Sequence, residues 1–362
     1  MVIISIVLAL GLVVFVHESG HFVACRLLKI KVLRFAFGFG KELFGFTRGD
    51  TRYSICAFPL GGFVKPAGED PEEITGAPDE FFSKSWKARI LVALAGPGMN
   101  YVLSFALFFF TFWWFGTPEY AKSATVGTVF SGSPAEVAGL KSGDVIERVY
   151  IAKTKEDVAL KEWDDLSRLI HNNPETTFEF KVQRQNQTLK INATSKKDPA
   201  RGIGLVGIAP QVLYKKEGVV SAVKLSGGEL VRWSLSSVVY LWDRISKGEK
   251  PDLAGPVGIV SMMSKAANTG AADFLALLAI ISVAIGFFNL FPIPLLDGGH
   301  VVFYLWEAVS RRKITRQFLM RANTIGLAIL IPIFLFAFYN DLERLWSNKT
   351  KAKTEFEEII KK

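Results

Sequence analysis

The amino-acid sequence predicts a polytopic α-helical membrane protein with about four transmembrane helices, a membrane-associated β-loop and a small α/β insert outside the cytoplasm. Three observations support this fold class. Half of the 362 residues are hydrophobic, 13% are aromatic and only 21% are charged. The apolar residues are collected into four long runs, and a membrane span needs roughly 20 consecutive apolar residues. The polar segments between these runs differ in charge, which predicts the side of the membrane on which each lies.

The first run is not preceded by Lys or Arg and is not followed by a small-residue cleavage site. We therefore expect a retained span and not a cleaved signal peptide. The third run contains Pro292 and Pro294, which break a helix, and the short fourth run carries Pro332. The predicted spans cover residues 1–25, 90–116, 271–310 and 322–342.

The distribution of Lys and Arg predicts the topology. Residues 26–90 hold eleven of these residues, and the short connection 311–321 holds five with few acids. Both segments are therefore expected in the cytoplasm, which places residues 117–270 and both termini, including the tail 343–362, on the other side. No basic stripe accompanies a recognition fold, so binding of nucleic acid is not expected.

The segment 26–89 between the first two spans is predicted to be β-rich. Aromatic residues alternate in stretches bounded by Gly and Pro, which indicates short strands and hairpins. The segment is apolar enough to lie at membrane depth, where irregular backbone is tolerated only in a protected cavity. Cys25 and Cys56 fall on the predicted cytoplasmic side, and we expect buried thiols without a disulfide.

Two further segments follow the second span. Residues 117–210 are typical of a small soluble α/β domain. Residues 211–270 are less regular and predict one amphipathic helix over Val219–Ile245, placed at a membrane interface, followed by a turn over Leu253–Ile259.

Two of the four histidines lie in the motif His17-Glu-Ser-Gly-His21. On a helix, residues i and i+4 share one face, so both imidazoles can reach one Zn²⁺. Glu18 would lie beside them, where a carboxylate takes a proton from a water acidified by zinc and passes it to the leaving amine. A structural pair of helix-surface histidines is the alternative. Polar groups inside an apolar run are costly and usually functional, which favours the metal site.

A catalytic zinc takes three protein ligands and keeps one position open, so a third ligand is needed. Asp297 is the candidate, because it follows the two prolines that break the third span and a broken helix turns side chains into the cavity. The alternative role is an N-cap of the following helix, predicted over residues 298–310. We favour the metal ligand.

The motifs resemble those of the site-2 protease family of intramembrane zinc metalloproteases (peptidase family M50), and most closely its bacterial regulator-of-sigma-E protease group. The resemblance implies that His17, His21 and Asp297 bind zinc and that Glu18 is the catalytic base. Three more segments carry it, in family order across nearly the whole chain: Ala95-Gly-Pro-Gly-Met-Asn100, Leu253-Ala-Gly-Pro-Val-Gly-Ile259 and Asn289-Leu-Phe-Pro-Ile-Pro-Leu-Leu-Asp-Gly-Gly299.

Other polar residues of these motifs have two open roles each. Asn289 matches a family Asn near the active site, where its amide would hold unwound substrate or a developing oxyanion, or else bond between helices. Relatives often have a second Asn five residues earlier, where this chain has Ala284. Asn100 is expected to support the site by packing and hydrogen bonding. His300 either supports Asp297 from behind or is an uninvolved histidine at the membrane surface.

Two accessory parts complete the resemblance. Phe35 to Lys41, with Gly38-Phe39-Gly40, resembles the family's β-loop, which is thought to hold unwound substrate by strand addition; a plain structural hairpin is the alternative. Residues 117–210 resemble one bacterial PDZ domain through Ser133-Pro-Ala-Glu-Val-Ala-Gly-Leu-Lys-Ser-Gly-Asp144 and the closing Gly202-Ile-Gly-Leu-Val-Gly-Ile208. Such a domain either binds a peptide terminus or filters substrates by size, and the sequence leaves both open.

The function implied is an intramembrane zinc endopeptidase of the bacterial inner membrane, with its active site toward the cytoplasm and its PDZ domain in the periplasm. Its partners would be single-span membrane proteins such as anti-sigma factors, remnant signal peptides, membrane lipid and a PDZ ligand. Two rival classes predict other patterns. A non-catalytic scaffold predicts a damaged ligand set, and a metal transporter predicts ionisable residues along a continuous polar path through several spans.

Overall fold

The computed structural model describes residues 2–70, 73–199, 201–251 and 253–360. Met1 of the predicted first span and the last two residues of the predicted tail lie outside this part. The chain separates into two compact units, one holding residues 2–114 and 218–353 and the other built on residues 115–217.

The first unit begins with one helix, a long hairpin and a second helix. A 3₁₀ turn over Phe81–Ser83 precedes the second helix, and a π-helical turn over Thr111–Phe115 extends it. The elements are helix α1 (Val2–Leu27), strand β1 (Val32–Arg48), strand β2 (Thr51–Pro66) and helix α2 (Trp86–Phe110).

The second unit is a small α/β fold around a four-stranded sheet, whose strands lie in the order 156–159, 145–151, 177–184 and 187–194. Its core is built from fully buried side chains that include Val126, Leu166, Phe178 and Phe180. The elements are β3 (Thr117–Tyr120), β4 (Val126–Val129), α3 (Pro134–Val137), β5 (Val145–Ile151), β6 (Glu156–Ala159), α4 (Trp163–His171), β7 (Thr177–Arg184), β8 (Gln187–Thr194), β9 (Lys196–Lys197), β10 (Gly204–Leu205), β11 (Ile208–Pro210) and β12 (Val212–Lys215).

The first unit resumes with five helices. They are α5 (Val219–Ser246), α6 (Pro256–Thr269), α7 (Ala271–Asn289), α8 (Asp297–Ser310) and α9 (Arg316–Ile360). A non-helical segment that contains Pro292 and Pro294 separates α7 from α8.

Four helices of the described chain are long and apolar enough to cross a membrane, which confirms a polytopic membrane protein. Their bounds differ from the predicted ones because charged flanks mark where a membrane ends and do not stop a helix. The fourth of these apolar helices is α9, which begins at Arg316, inside the predicted loop 311–321. The candidate spanning segments, by length and composition, are Ile3–Leu27, Trp86–Phe115, Ala271–Asn289 and Arg316–Arg344.

The predicted turn over Leu253–Ile259 is wrong in its second half, where α6 begins at Pro256. Proline suits the first turn of a helix because its missing N–H would have had no partner there. The carboxylate of Asp341 on α9 accepts hydrogen bonds from the N–H groups of Gly255, at 3.1 Å, and Gly258, at 2.8 Å. A cap supplied from more than eighty residues away explains why local sequence did not show the helix start.

Strands β1 and β2 are two long strands and not the several short ones predicted. Both are bent, and β1 turns at Gly38 and Gly40, each with φ of +87°, a backbone conformation that favours glycine. Beyond this bend, residues 42–48 pair with residues 51–56 as a simple hairpin.

The bends let one part of β1 pair twice. Residues 34–37 have register partners at 52–55 on one side and at 62–65 on the other. The segment 62–65 of β2 consequently forms an outer edge of this small sheet. Among the described residues, no strand pairs with the other side of that edge.

Candidate active site

The two motif histidines lie on one face of α1, as their spacing predicted. Their Nε2 atoms face each other at 3.2 Å, and their rings cross nearly at right angles with centroids 4.9 Å apart. The His17 side chain is 10% exposed and that of His21 14%. Two imidazoles are therefore presented edge-on to a common point inside the protein.

Asp297 follows directly after the break between α7 and α8, and its carboxylate faces the same point. Its Oδ2 lies 3.2 Å from His17 Nε2, and its Oδ1 lies 3.5 Å from His21 Nε2. Asp297 is the first residue of α8, Leu296 occupies the N-cap position, and no side chain caps this helix. The N-cap role considered for Asp297 is thus not the one it has.

The backbone of the break is strained next to Asp297. Leu295 has φ of +79°, in a region that a leucine side chain disfavours. Such strain persists only where the surroundings over-determine it, and it is concentrated at functional sites. The close packing is visible at Gly299, where a Cβ would lie 2.9 Å from Cα of Pro294.

Helix α2 orients both histidines from behind. The carbonyl oxygen of Val92 lies 2.8 Å from His21 Nδ1, and the side-chain amide of Asn100 lies 3.2 Å from His17 Nδ1. Asn100 is fully buried, and its Oδ1 has no hydrogen-bond partner. A half-turn of this amide lets Oδ1 accept from His17 Nδ1–H, which leaves the His17 Nε2 lone pair free. Asn100 is thus within hydrogen-bond distance of His17, and its supporting role stays a prediction.

The close approach of α1 and α2 depends on glycine. A Cβ at Gly96 would collide with the rings of His17 and His21, and a Cβ at Gly20 would lie 2.7 Å from the carbonyl carbon of Ala95. Small residues let the backbones of membrane helices pack closely. Here they leave room for two imidazoles between the helices.

Glu18 lies beside the edge of the β-sheet. Val64 of that edge lies close to its carboxylate. A Cβ at Gly62 would lie 3.2 Å from Glu18 Cγ. The outer edge of β2 therefore runs directly past the candidate catalytic base.

These groups open into one cavity of 380 Å³. Asn289, the last residue of α7, lies on its wall, as does Glu69 from the connection after β2. Glu69 keeps access to solvent, yet the protein around its carboxyl displaces enough water to raise its pKa to about 7; Lys65 partly offsets this effect and Glu73 adds to it.

The structure separates the residues predicted to bind substrate. Phe35 lies in the part of β1 that is paired on both sides, so its backbone cannot receive an added strand. Gly38 and Gly40 form the bend, and Phe39 stacks on Phe63 of the edge with ring centroids 6.4 Å apart. The free edge next to Glu18 is instead 62–65, which the aromatic pattern alone did not indicate.

His300 lies on the cavity wall, one turn after Asp297. Its Nδ1 is buried without a hydrogen-bond partner, and its ring packs near Phe303 and Tyr304. No hydrogen bond joins His300 to Asp297 in the described part of the chain. The structure thus brings His300 into the cavity without the contact to Asp297 that a supporting role requires.

The cluster fits a divalent metal. Within the described residues, His17, His21 and Asp297 are the group whose ligand atoms all lie within 4.8 Å of one another. Asp297 Oδ2 is buried and forms no hydrogen bond, despite its short distance to His17. A buried carboxylate oxygen without a partner is costly, and a cation would satisfy it. Two imidazoles and one carboxylate form a ligand set used by catalytic zinc.

A polytopic membrane protein that gathers two histidines and an aspartate beside a glutamate belongs to the class of membrane zinc metalloproteases. The model of the family described as "Peptidase family M50" matches residues 5–333. The chain therefore belongs to peptidase family M50, and zinc is its metal.

Individual relatives extend over nearly the full chain. A protein named "Putative zinc metalloprotease" from Clostridium acetobutylicum is 31% identical, over 94% of this chain and 97% of that protein. Metalloprotease MmpA from Caulobacter vibrioides is 29% identical, over 94% and 95%. Regulator of sigma-W protease RasP from Bacillus subtilis is 28% identical, over 95% and 99%.

Proposed function

We propose that the chain is an intramembrane endopeptidase in which His17, His21 and Asp297 hold zinc and Glu18 moves the proton. The observation that carries this proposal is the convergence of these four side chains in one cavity, at the level of apolar helices. Ionisable groups at membrane depth are rare and mark functional sites.

Zinc bound there supplies Lewis acidity, which acidifies water and polarises the scissile carbonyl. Glu18 takes the proton from the attacking water and delivers it to the leaving amine, as a general base and then a general acid. We assign the Val64 N–H, which lies close to Glu18, to hold its carboxylate in place. Asn289 lies on the cavity wall, and in this proposal its amide N–H donates to an oxyanion or to the unwound substrate.

The substrate class follows from the site's location. A transmembrane helix hides its peptide bonds, so it must unwind before water can attack. We assign the holding of the unwound segment to the edge 62–65, because strand addition needs unpaired backbone groups and this edge passes Glu18. Gly38, Phe39 and Gly40 form the bend next to this edge, and Phe35 lies in the central strand that pairs with it. Single-span proteins such as anti-sigma factors, and remnant signal peptides, are the proposed substrates.

The second unit, residues 115–217, is proposed to be a PDZ domain that meets the substrate outside the cytoplasm, either as a peptide binder or as a size filter. The charge distribution supports an inner-membrane location with the active site toward the cytoplasm. One relative carries the name "Regulator of sigma-W protease RasP". We propose by analogy that this chain takes part in releasing a sigma factor.

The test compares purified wild type, Glu18→Gln, His21→Ala and Asp297→Ala in detergent, each with a model single-span substrate. Glu18→Gln should slow cleavage by at least about 100-fold, because general acid–base catalysis contributes about 10²- to 10⁴-fold. It should keep one zinc per chain, whereas His21→Ala and Asp297→Ala should lose zinc. Cleavage by Glu18→Gln at the wild-type rate would overturn the assigned mechanism, and zinc retained by the ligand variants would overturn the ligand set.

The same measurements decide between the protease and its rivals. A scaffold would bind substrate without cleaving it in any variant. A transporter would move metal into proteoliposomes that contain the wild-type chain, and a protease of this design would not.

A further inference from the structure

A buried ion pair joins helices α2 and α8, which both contribute residues around the candidate zinc site. Arg89, near the start of α2, donates to both carboxylate oxygens of Glu307 on α8, at 3.1 and 2.5 Å. The Arg89 side chain is 2% exposed and that of Glu307 is 17%. Its guanidinium also lies over the rings of Phe82 and Tyr304, 5.0 and 4.9 Å from their centroids.

Arg89 shares its helix face with every α2 group that reaches the site. Val92, Gly96 and Asn100 follow it at intervals of three, four and four residues, a spacing that keeps all four on one face. Val92 contacts His21, Asn100 contacts His17, and Gly96 gives both rings their space. This face of α2 is thus a template for the two ligands from α1.

The same face reaches the third ligand through Arg89. Asp297 and Tyr304 are seven residues apart and therefore lie on one side of α8. Arg89 contacts that side at Tyr304 and, one turn farther, at Glu307. At a rise of about 1.5 Å per residue, the ion pair lies about 15 Å along α8 from Asp297. It joins α8 to α2 at this distance from the ligand.

We infer that Arg89 and Glu307 are positioning residues, whose ion pair holds α8 in the register at which Asp297 meets the two histidines on the α2 template. Two parallel N–H···O bonds in a buried, aromatic-lined site fix both direction and distance, which a hydrophobic contact does not. The inference rests on the proposed function, since it takes Asp297 as a zinc ligand.

The experiment separates positioning from mere stability. Arg89→Met alone leaves the Glu307 carboxylate buried and unpaired, which destabilises a fold for a trivial reason. The double variant Arg89→Met/Glu307→Leu removes both charges, and such replacements are often neutral or stabilising. We expect its melting temperature to recover toward wild type. Its zinc dissociation constant should remain about 10-fold or more above wild type, the usual effect of losing a support behind the ligands.

Three further measurements complete the test. Arg89→Lys keeps the charge but not the two-pronged contact, so it should fold normally and bind zinc more weakly than wild type. The visible spectrum of the cobalt-substituted double variant should change, because ligand geometry changes. Arg148→Met, which breaks the exposed pair with Asp157 at 3.0 Å in the second unit, is the matched control and should leave zinc binding unchanged.

Wild-type zinc affinity and cobalt spectrum in the double variant would overturn the inference. If that variant does not fold, Arg89→Lys decides, and an unchanged zinc dissociation constant there would have the same consequence. A failure of the proposed function looks different: His21→Ala would then retain zinc, whatever the Arg89 variants do.

Discussion

At the residue scale, the ligand set depends on which atoms are already occupied. The Nδ1 atoms of His17 and His21 each face a partner on α2, so only their Nε2 atoms remain for a metal. Asp297 Oδ2 is buried near them without a hydrogen bond. The spacing of residues in the sequence indicates three ligands. Only the contacts of the two Nδ1 atoms with α2 show which nitrogen of each imidazole is available to a metal.

Glu69 gives a prediction of pH dependence. Its pKa in the folded protein, about 7, lies above its ordinary value of 4.5, so the folded state binds this proton more tightly than the unfolded chain does. The stabilising contribution is complete below the ordinary value and is lost as the pH rises through the folded value. Wild type should therefore lose melting temperature between pH 5 and pH 8, and Glu69→Gln should lose less.

The measurement is a series of melting curves in detergent at several values across that range. Glu147→Gln serves as the control, since it removes an exposed carboxylate in the second unit and leaves the groups around Glu69 unchanged. Equal pH slopes for wild type and Glu69→Gln would show that Glu69 does not titrate in this range.

At the scale of elements, the β-hairpin shows why pairing is not readable from a pattern. Aromatic alternation predicted short strands within residues 26–89, and the structure has strands there. Which strand is central depends on the bends at Gly38 and Gly40 and on the packing of β1 against α1. A central strand and an edge strand have the same composition when both lie in apolar surroundings.

The edge 62–65 carries a prediction about Val64. Val64 lies close to Glu18 on this edge, and we expect its N–H to hold the carboxylate. Val64→Pro removes that N–H at an edge position, where proline is tolerated. Cleavage of a transmembrane substrate should fall about 10-fold or more, as a hydrogen bond to a charged group is worth about 1.5–3 kcal/mol. Zinc content should stay at one per chain.

Val64→Ala is the matched control because it shortens the side chain and keeps the N–H. The two variants should therefore differ in rate. Equal cleavage by both would mean that the edge N–H has no part in placing Glu18.

At the scale of the whole molecule, the distribution of charged residues predicts the topology. One of the eleven basic residues counted in 26–90 is Arg89, which is buried and paired with Glu307, so it contributes little to a surface count. The other ten basic residues stand against five glutamates and three aspartates in the same segment. The positive-inside rule counts Lys and Arg and gives little weight to acidic residues, so it still predicts that this segment is cytoplasmic.

Cysteine labelling in intact cells tests this topology. Tyr150→Cys, at a position 38% exposed in the second unit, should react with a membrane-impermeant maleimide added outside. Lys313→Cys, exposed between α8 and α9, should react only after permeabilisation. Wild type is the control, since Cys25 and Cys56 are both buried. The reverse pattern would invert the orientation of the chain.

The sequence by itself determined the membrane class, the four apolar spans, the metal-binding motif on α1 and the break before Asp297. Each of these is a local signal, since hydrophobic length, i,i+4 spacing and proline act within one segment. Only the tertiary structure decided which edge of the sheet passes Glu18, that Asp341 caps α6, and that Arg89 holds α8 against α2. These contacts join residues far apart in the chain, and no single segment contains the information that specifies them.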